Sequence, residues 1–165
     1  MLELAPTQAA VVLCTAAPEA VDAAVAVAET IRLAPDEALL LGPAGTADAT
    51  VAAAAERAVA VDDDAVVLDA TDGWTIWTLM GDDARLAFTS LSALRLPEEG
   101  TVLGDVAHVH AKVVVRADRL HLLVPAMWGA HLRASILREA AHLGVTERAE
   151  PEPWPATKRP RKRRA

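Results

Sequence analysis

The chain repeats one order of features three times: an apolar run, a short acidic break, a second apolar run and a helix-period stretch. TIRLAPDEALLLGP leads into TADATVAAAAERAV, AVVLDATDGWTIWTLMG into DDARLAFTSLSAL, and HVHAKVVVRADRLHLLVP into AMWGAHLRASILREAAHLG. The breaks centre near residues 35, 72 and 118. Short apolar runs rich in Val, Leu and Ile, separated by Asp, Gly or Pro, are the pattern of strands joined by reversals. Apolar residues recurring every three to four positions are the pattern of a helix with one buried face. Each unit therefore reads as strand, turn, strand, helix. Three loosely spaced units are too few for a solenoid. The expected architecture is α+β: a mostly antiparallel sheet of hairpins with helices on one face.

Local chemistry refines the helices. Asp82 stands where it would cap the second helix, whose face is Ala84, Ala87, Phe88, Leu91 and Leu94. Trp128, Leu132, Ile136, Ala140 and Leu143 form the stripe of the third, with His142 in its last turn and Gly144 as its stop. The first helix has a face of alanine, which packs closely but buries little area. Leu96 to Gly100 reads as a loop.

At 165 residues the chain fits one domain, expected over residues 1–149, with 150–165 as a disordered tail. Aromatics make up only 3% of residues, so the core must come from Leu, Val, Ile and Ala. The segment AAVVLCTAA lacks a basic leader, follows Glu3, and has Leu13 before Cys14 where a cleavage site wants a small residue. It is read as a strand and not as a signal. A lone cysteine cannot form an internal disulfide, and Cys14 in its apolar run is expected to be a buried, inert thiol. No apolar run approaches the roughly 18 residues of a membrane span. The expected location is the cytoplasm.

The net charge of −7 conceals an asymmetry. Six of the 16 basic residues lie between Lys158 and Arg164; the rest of the chain carries 10 basic against 23 acidic residues, a net of −13. Nucleic acid binding wants positive charge on a folded face, so nucleic acid is not the expected partner.

The candidate sites are few. Asp69 and Asp72 flank a break that also holds Gly73, and Asp36 occupies the equivalent place in the first unit. An acid recurring at each reversal fits turn chemistry better than a catalytic pair. His108, His110 and Lys112 alternate along DVAHVHAKVVVR and would share one strand face. Two imidazoles so placed can ligate one metal ion, but a neighbouring lysine opposes it and no further ligands stand nearby, so no metal is expected. His121, His131 and His142 are scattered. Trp74 and Trp77, three apart on a strand, would point to opposite faces. There is no GxGxxG, no GxxxxGK[ST], no GxSxG and no HExxH. No catalytic residue is assigned.

Three stretches carry a resemblance. Arg32 to Glu37 followed by ALLLGP is similar to the L-G-P-D-E-W-L-L segment of sarcosine oxidase gamma subunits, with Ala38 in place of the tryptophan. Val67 to Gly73 followed by WTIWTLMGDDARLAFTSL resembles their V-D-V-S-H strand and turn and L-x-G-x-x-A helix start, with Thr71-Asp72 in place of Ser-His. LHLLVPAMWGAHLRASILREA resembles their final strand and helix. The order is kept across residues 29–144. The family is related to the folate-binding fold of glycine-cleavage aminomethyltransferases. The resemblance implies a non-catalytic accessory subunit of a heteromeric complex that demethylates N-methyl amines oxidatively. Its partners would be larger oxidoreductase subunits holding flavin, NAD and the folate chemistry. The alternative is a stand-alone domain that binds folate or another small molecule, with Asp36, Asp69 and Asp72 as the acids available to a pterin. A third reading, an adaptor acting through its basic tail, rests on Lys158 to Arg164 alone.

Overall fold

The structure is a computed structural model that describes residues 1–155; residues 156–165, with the basic run from Lys158 to Arg164, lie outside the described residues. The chain divides into two compact units. The first comprises Met1–Gln8 and Ala70–Pro153, and the second Ala9–Asp69 with Trp154 and Pro155. Strand β1 (Glu3–Thr15) runs through AAVVLCTAA as read from the sequence, and its 13 residues serve both units.

In the second unit β2 (Glu29–Ala34) and β3 (Glu37–Pro43) form the expected first hairpin. β3 pairs antiparallel with β1, as does β4 (Val66–Asp69). Two helices, α1 (Pro18–Ala24) and α2 (Ala47–Val59), complete it. Ala20, Ala24, Ala54 and Ala58 are fully buried in one cluster with Val12, Cys14 and Leu40. Alanine on both helices allows this close approach, at little buried area per residue.

In the first unit β1 is followed laterally by β5 (Trp74–Met80), β8 (Arg119–Pro125), β7 (Val109–Val115) and β6 (Gly100–Val106). Every neighbouring pair in that order is antiparallel. Two-residue strands β9 (Thr146–Glu147) and β10 (Glu152–Pro153) add parallel pairings to β1. The core joins Leu79, Val113 and Leu122 of the sheet to Phe88 of α3 (Ala84–Thr89) and to Leu132 and Ile136 of α4 (Gly129–Glu139). Gly144 adopts the left-handed conformation, φ 67°, expected of a helix stop.

Several expectations are corrected. The middle hairpin does not form: β4 pairs with β1, and β5 with β1 and β8. Thr71–Gly73 is a 3-10 turn carrying the chain from the second unit to the first. β1 is long enough to offer each strand a partner, so Asp69 and Asp72 mark a crossover rather than a reversal. α3 ends at Thr89, not at Leu94, and its cap position is Asp83 and not Asp82, with no side-chain cap bond. The chain is diverted by Ser92, whose hydroxyl donates to the Asp105 carbonyl at 2.6 Å and accepts the Leu94 N–H at 3.1 Å. Leu91 is buried all the same. The segment after the Leu96–Gly100 loop is strand β6, which turns into β7 through Ala107 and His108, both at positive φ (49° and 65°). That is the geometry of a tight two-residue hairpin. The stretch from Glu150 was expected to be tail; Glu152 and Pro153 pair with Thr7 and Gln8, and Trp154 is 2% exposed. No helix among the described residues is long and apolar enough to cross a membrane.

Candidate functional site

The chemistry-bearing groups of the first unit gather along β8. Alternation along this strand places Leu120, Leu122 and Val124 in the helix-covered core. His121 faces the other way and is also fully buried. It pairs in register with Thr78 of β5, and its Nδ1 lies 2.7 Å from Thr78 Oγ1. Thr78 Oγ1 in turn contacts Thr7 Oγ1 of β1 at 2.5 Å. Each hydroxyl has one proton, so the row is satisfied when all its protons point the same way along it. Burial lowers the His121 pKa to about 3, with Arg116 and Arg119 adding to the shift and Asp118 opposing it. His121 is neutral across the physiological range. A lone histidine in an apolar run gives no sign of this in the sequence, because Thr78, and Thr7 beyond it, sit on two distant strands.

At the start of β8 the charges are dense. Arg119 donates to both carboxylate oxygens of Asp118, at 3.1 and 2.7 Å, and to Glu152 at 2.5 Å. The guanidinium holds the Asp118 carboxyl below its usual range, and the two carboxylates raise the arginine further. A cleft of about 450 Å³ opens beside this cluster. Arg85 of α3 stands on one wall, Arg116 and Arg119 on the other, and Met80, Ala84 and Leu120 line it between them.

Lys112 lies on the same strand face as Thr78 and His121. It is 8% exposed, with Nζ 4.7 Å from the Trp74 ring centroid. Trp77 faces the other side, against the core, and its indole donates to the Gly129 carbonyl at 2.9 Å. The opposite facing of Trp74 and Trp77 read from their spacing therefore holds.

The acids and histidines singled out in the sequence are not drawn together. Asp36 is exposed at the β2–β3 turn, Asp69 is exposed at the end of β4, and Asp72 is exposed in the crossover turn. None is among the residues lining the arginine cleft. His108 stands in the β6–β7 turn and not on the strand, so it does not share a face with His110 and Lys112. His110 Nδ1 is 3.6 Å from Asp105, both exposed. Among the described residues no group of three or more His, Cys, Asp or Glu is placed to hold a metal ion. Cys14 is buried, and burial pushes its thiol pKa up, away from the reactive thiolate.

No protein-family model matches this chain, and no curated protein does either. Solved structures do. A chain of the heterotetrameric sarcosine oxidase from Corynebacterium sp. U-96 superposes with a TM-score of 0.74 at 16% identity, over 90% of this chain and 88% of that one. The chain shares its fold with that sarcosine oxidase chain. Glycine cleavage system aminomethyltransferase T from Bartonella henselae matches with a TM-score of 0.62 at 15% identity, over 88% of this chain. There the chain spans about half the length of its relative, 47%. At these identities the likeness establishes the fold, a mostly antiparallel sheet architecture common to all three.

Proposed function

We propose that this chain is a non-catalytic accessory subunit of a heteromeric oxidoreductase complex of the sarcosine oxidase kind, acting in oxidative demethylation of N-methyl amines. The observation that carries this reading is the match over nearly the full length of both chains to a chain of a heterotetramer. Aminomethyltransferase T, by contrast, carries the fold as about half of a longer chain. The order of the gamma-subunit-like motifs along residues 29–144 supports the same choice. So do Met127 and Trp128, adjacent and 81% and 44% exposed, since Met and Trp are enriched where proteins meet. In this reading larger partner subunits hold the flavin and NAD, the complex is cytoplasmic, and no catalytic residue belongs to this chain. With it goes the finer architecture read from the sequence, in which the helices lie on one sheet face.

The test is purification of the tagged chain from its native cells. Stoichiometric recovery of a large oxidoreductase subunit with flavin absorbance supports the proposal. A colourless chain recovered alone overturns it.

The aminomethyltransferase match favours a second reading, a stand-alone folate- or small-molecule-binding domain. Thermal unfolding with tetrahydrofolate tests it, because a ligand at about 100 times its Kd adds about 2.7 kcal/mol. An unchanged midpoint at saturating folate removes this reading.

A further inference from the structure

We infer that the arginine-walled cleft of the first unit binds a small organic oxyanion, a carboxylate or phosphate head on a short apolar body. Such binding needs this chain alone and does not depend on assembly with partners. At about 450 Å³ the cleft is within the ordinary range of small-ligand sites, roughly 300–1,000 Å³.

The three guanidiniums have different commitments. Arg119 is spent on Asp118 and Glu152, so it stiffens one wall. Arg85 is held by carbonyls: one terminal nitrogen, Nη2, donates to Pro97 O at 2.9 Å and to Glu98 O at 2.7 Å. Carbonyls orient a guanidinium without cancelling its charge. No carboxylate among the described residues lies within ion-pair distance of Arg85, and its Nε and Nη1 take no part in those two bonds. A planar fork fixed at one corner and charged at the other is suited to a carboxylate or phosphate. Arg116 lines the cleft from the β7–β8 turn. On the same rim stand two acids, Asp82 and Asp118, of which Asp118 is already paired with Arg119.

The apolar half of the ligand follows from the surface between the walls. Met80, Ala84 and Leu120 line the cleft with apolar side chains packed in place, each less than a tenth exposed, so its floor is apolar and firm, and an aliphatic or aromatic body would lie against it. The walls are tied together before any ligand arrives: the Gly81 N–H donates to the Asp118 carbonyl at 3.3 Å. A cleft fixed in this way loses little freedom on binding.

The experiment is an amide chemical-shift titration of the full chain with benzoate, phenyl phosphate and neutral benzamide. Expected are saturable shifts at Gly81, Ala117 and Leu120 with benzoate, phenyl phosphate or both, and none with benzamide. Arg85→Gln should weaken the anion at least about tenfold, the loss of one charge-assisted pair. Arg116→Gln, on the other wall, should weaken it too, which covers the case in which Arg85→Gln disturbs the loop at Pro97. Saturation by one anion alone identifies the head group. Absence of saturation with either anion, an equal response to benzamide, or unchanged affinity in both variants overturns the assignment.

Discussion

His121 Nδ1 and Thr78 Oγ1 lie 2.7 Å apart at positions directly opposite on β8 and β5, both fully buried. A histidine kept neutral in this way ties stability to pH. Its pKa lies near 3 when folded, against 6.5 for a histidine free in water. Across that window the unfolded chain takes up a proton that the folded chain refuses, so stability is complete above about pH 6.5 and falls as the pH drops. The loss expected by about pH 5 is about 2 kcal/mol, with a ceiling of about 5 kcal/mol at lower pH. Urea unfolding of the chain and of His121→Asn at a series of pH values measures it. The difference between the two curves should change with a positive slope below pH about 6.5; parallel curves would show that His121 does not titrate on unfolding.

Thr78→Val should act on the same row from its centre. The substitution keeps the shape and removes the hydroxyl shared by Thr7 and His121. A buried polar group that loses a partner costs about 1–3 kcal/mol. Equilibrium unfolding at neutral pH reads the effect directly. A stable Thr78→Val variant would mean that water or a rearrangement replaces the bond.

Lys112 and Trp74 offer a separable interaction. The ammonium stands 4.7 Å from the ring centroid, on a side chain that is 8% exposed. Desolvation places such a pair toward the upper end of the range, about 1–2 kcal/mol. A double-mutant cycle of Lys112→Met and Trp74→Leu should return a coupling of that size. Additive single effects would show that the ring does not hold the ammonium.

Gly129 is required by its neighbour Thr75. A Cβ at residue 129 would lie 2.7–2.9 Å from the Thr75 side chain. Gly129→Ala gains helix propensity, about 1 kcal/mol, yet overpacking costs about 1–3 kcal/mol. A net loss is expected, relieved in part by Thr75→Ala, which removes two of the three close contacts. Thermal midpoints of the two single variants and the double variant decide it; a Gly129→Ala variant as stable as the parent would show that β5 yields.

The legible parts of the fold are those whose signal is local. β1, β3 and β8 are apolar runs, α2 and α4 have periodic faces, and Gly144 is a glycine where only a stop makes sense of it. Long-range choices were not legible. Nothing in TDG tells a hairpin from a crossover, because that depends on whether β1 reaches far enough to pair with both β4 and β5. β6 begins and is interrupted by glycine, and its hairpin turns through Ala-His, where Asn-Gly or Asp-Gly would have announced it. That turn is why His108 left the strand face assigned to it. The candidate site suffered most, since the histidine that is buried and bonded, His121, was indistinguishable from the scattered ones. Arg85, Arg116 and Arg119 are brought to one cleft only by pairing of the strands around them.

Trp154 tests how far the fold extends. Flanking prolines make PEPWP read as tail, because proline cannot donate to a ladder. β10 requires little of them: its pairing involves only Glu152 and Pro153, and Glu152 also accepts from Arg119 and Arg148. Trp154 follows at once and is 2% exposed. An indole removed from water at this level is worth a large fraction of a small protein's stability, and Trp→Ala in a packed site costs about 3–5 kcal/mol. Trp154→Ala should therefore shift the denaturation midpoint strongly, and Trp154→Phe much less. If the segment were tail, both variants would unfold with the parent.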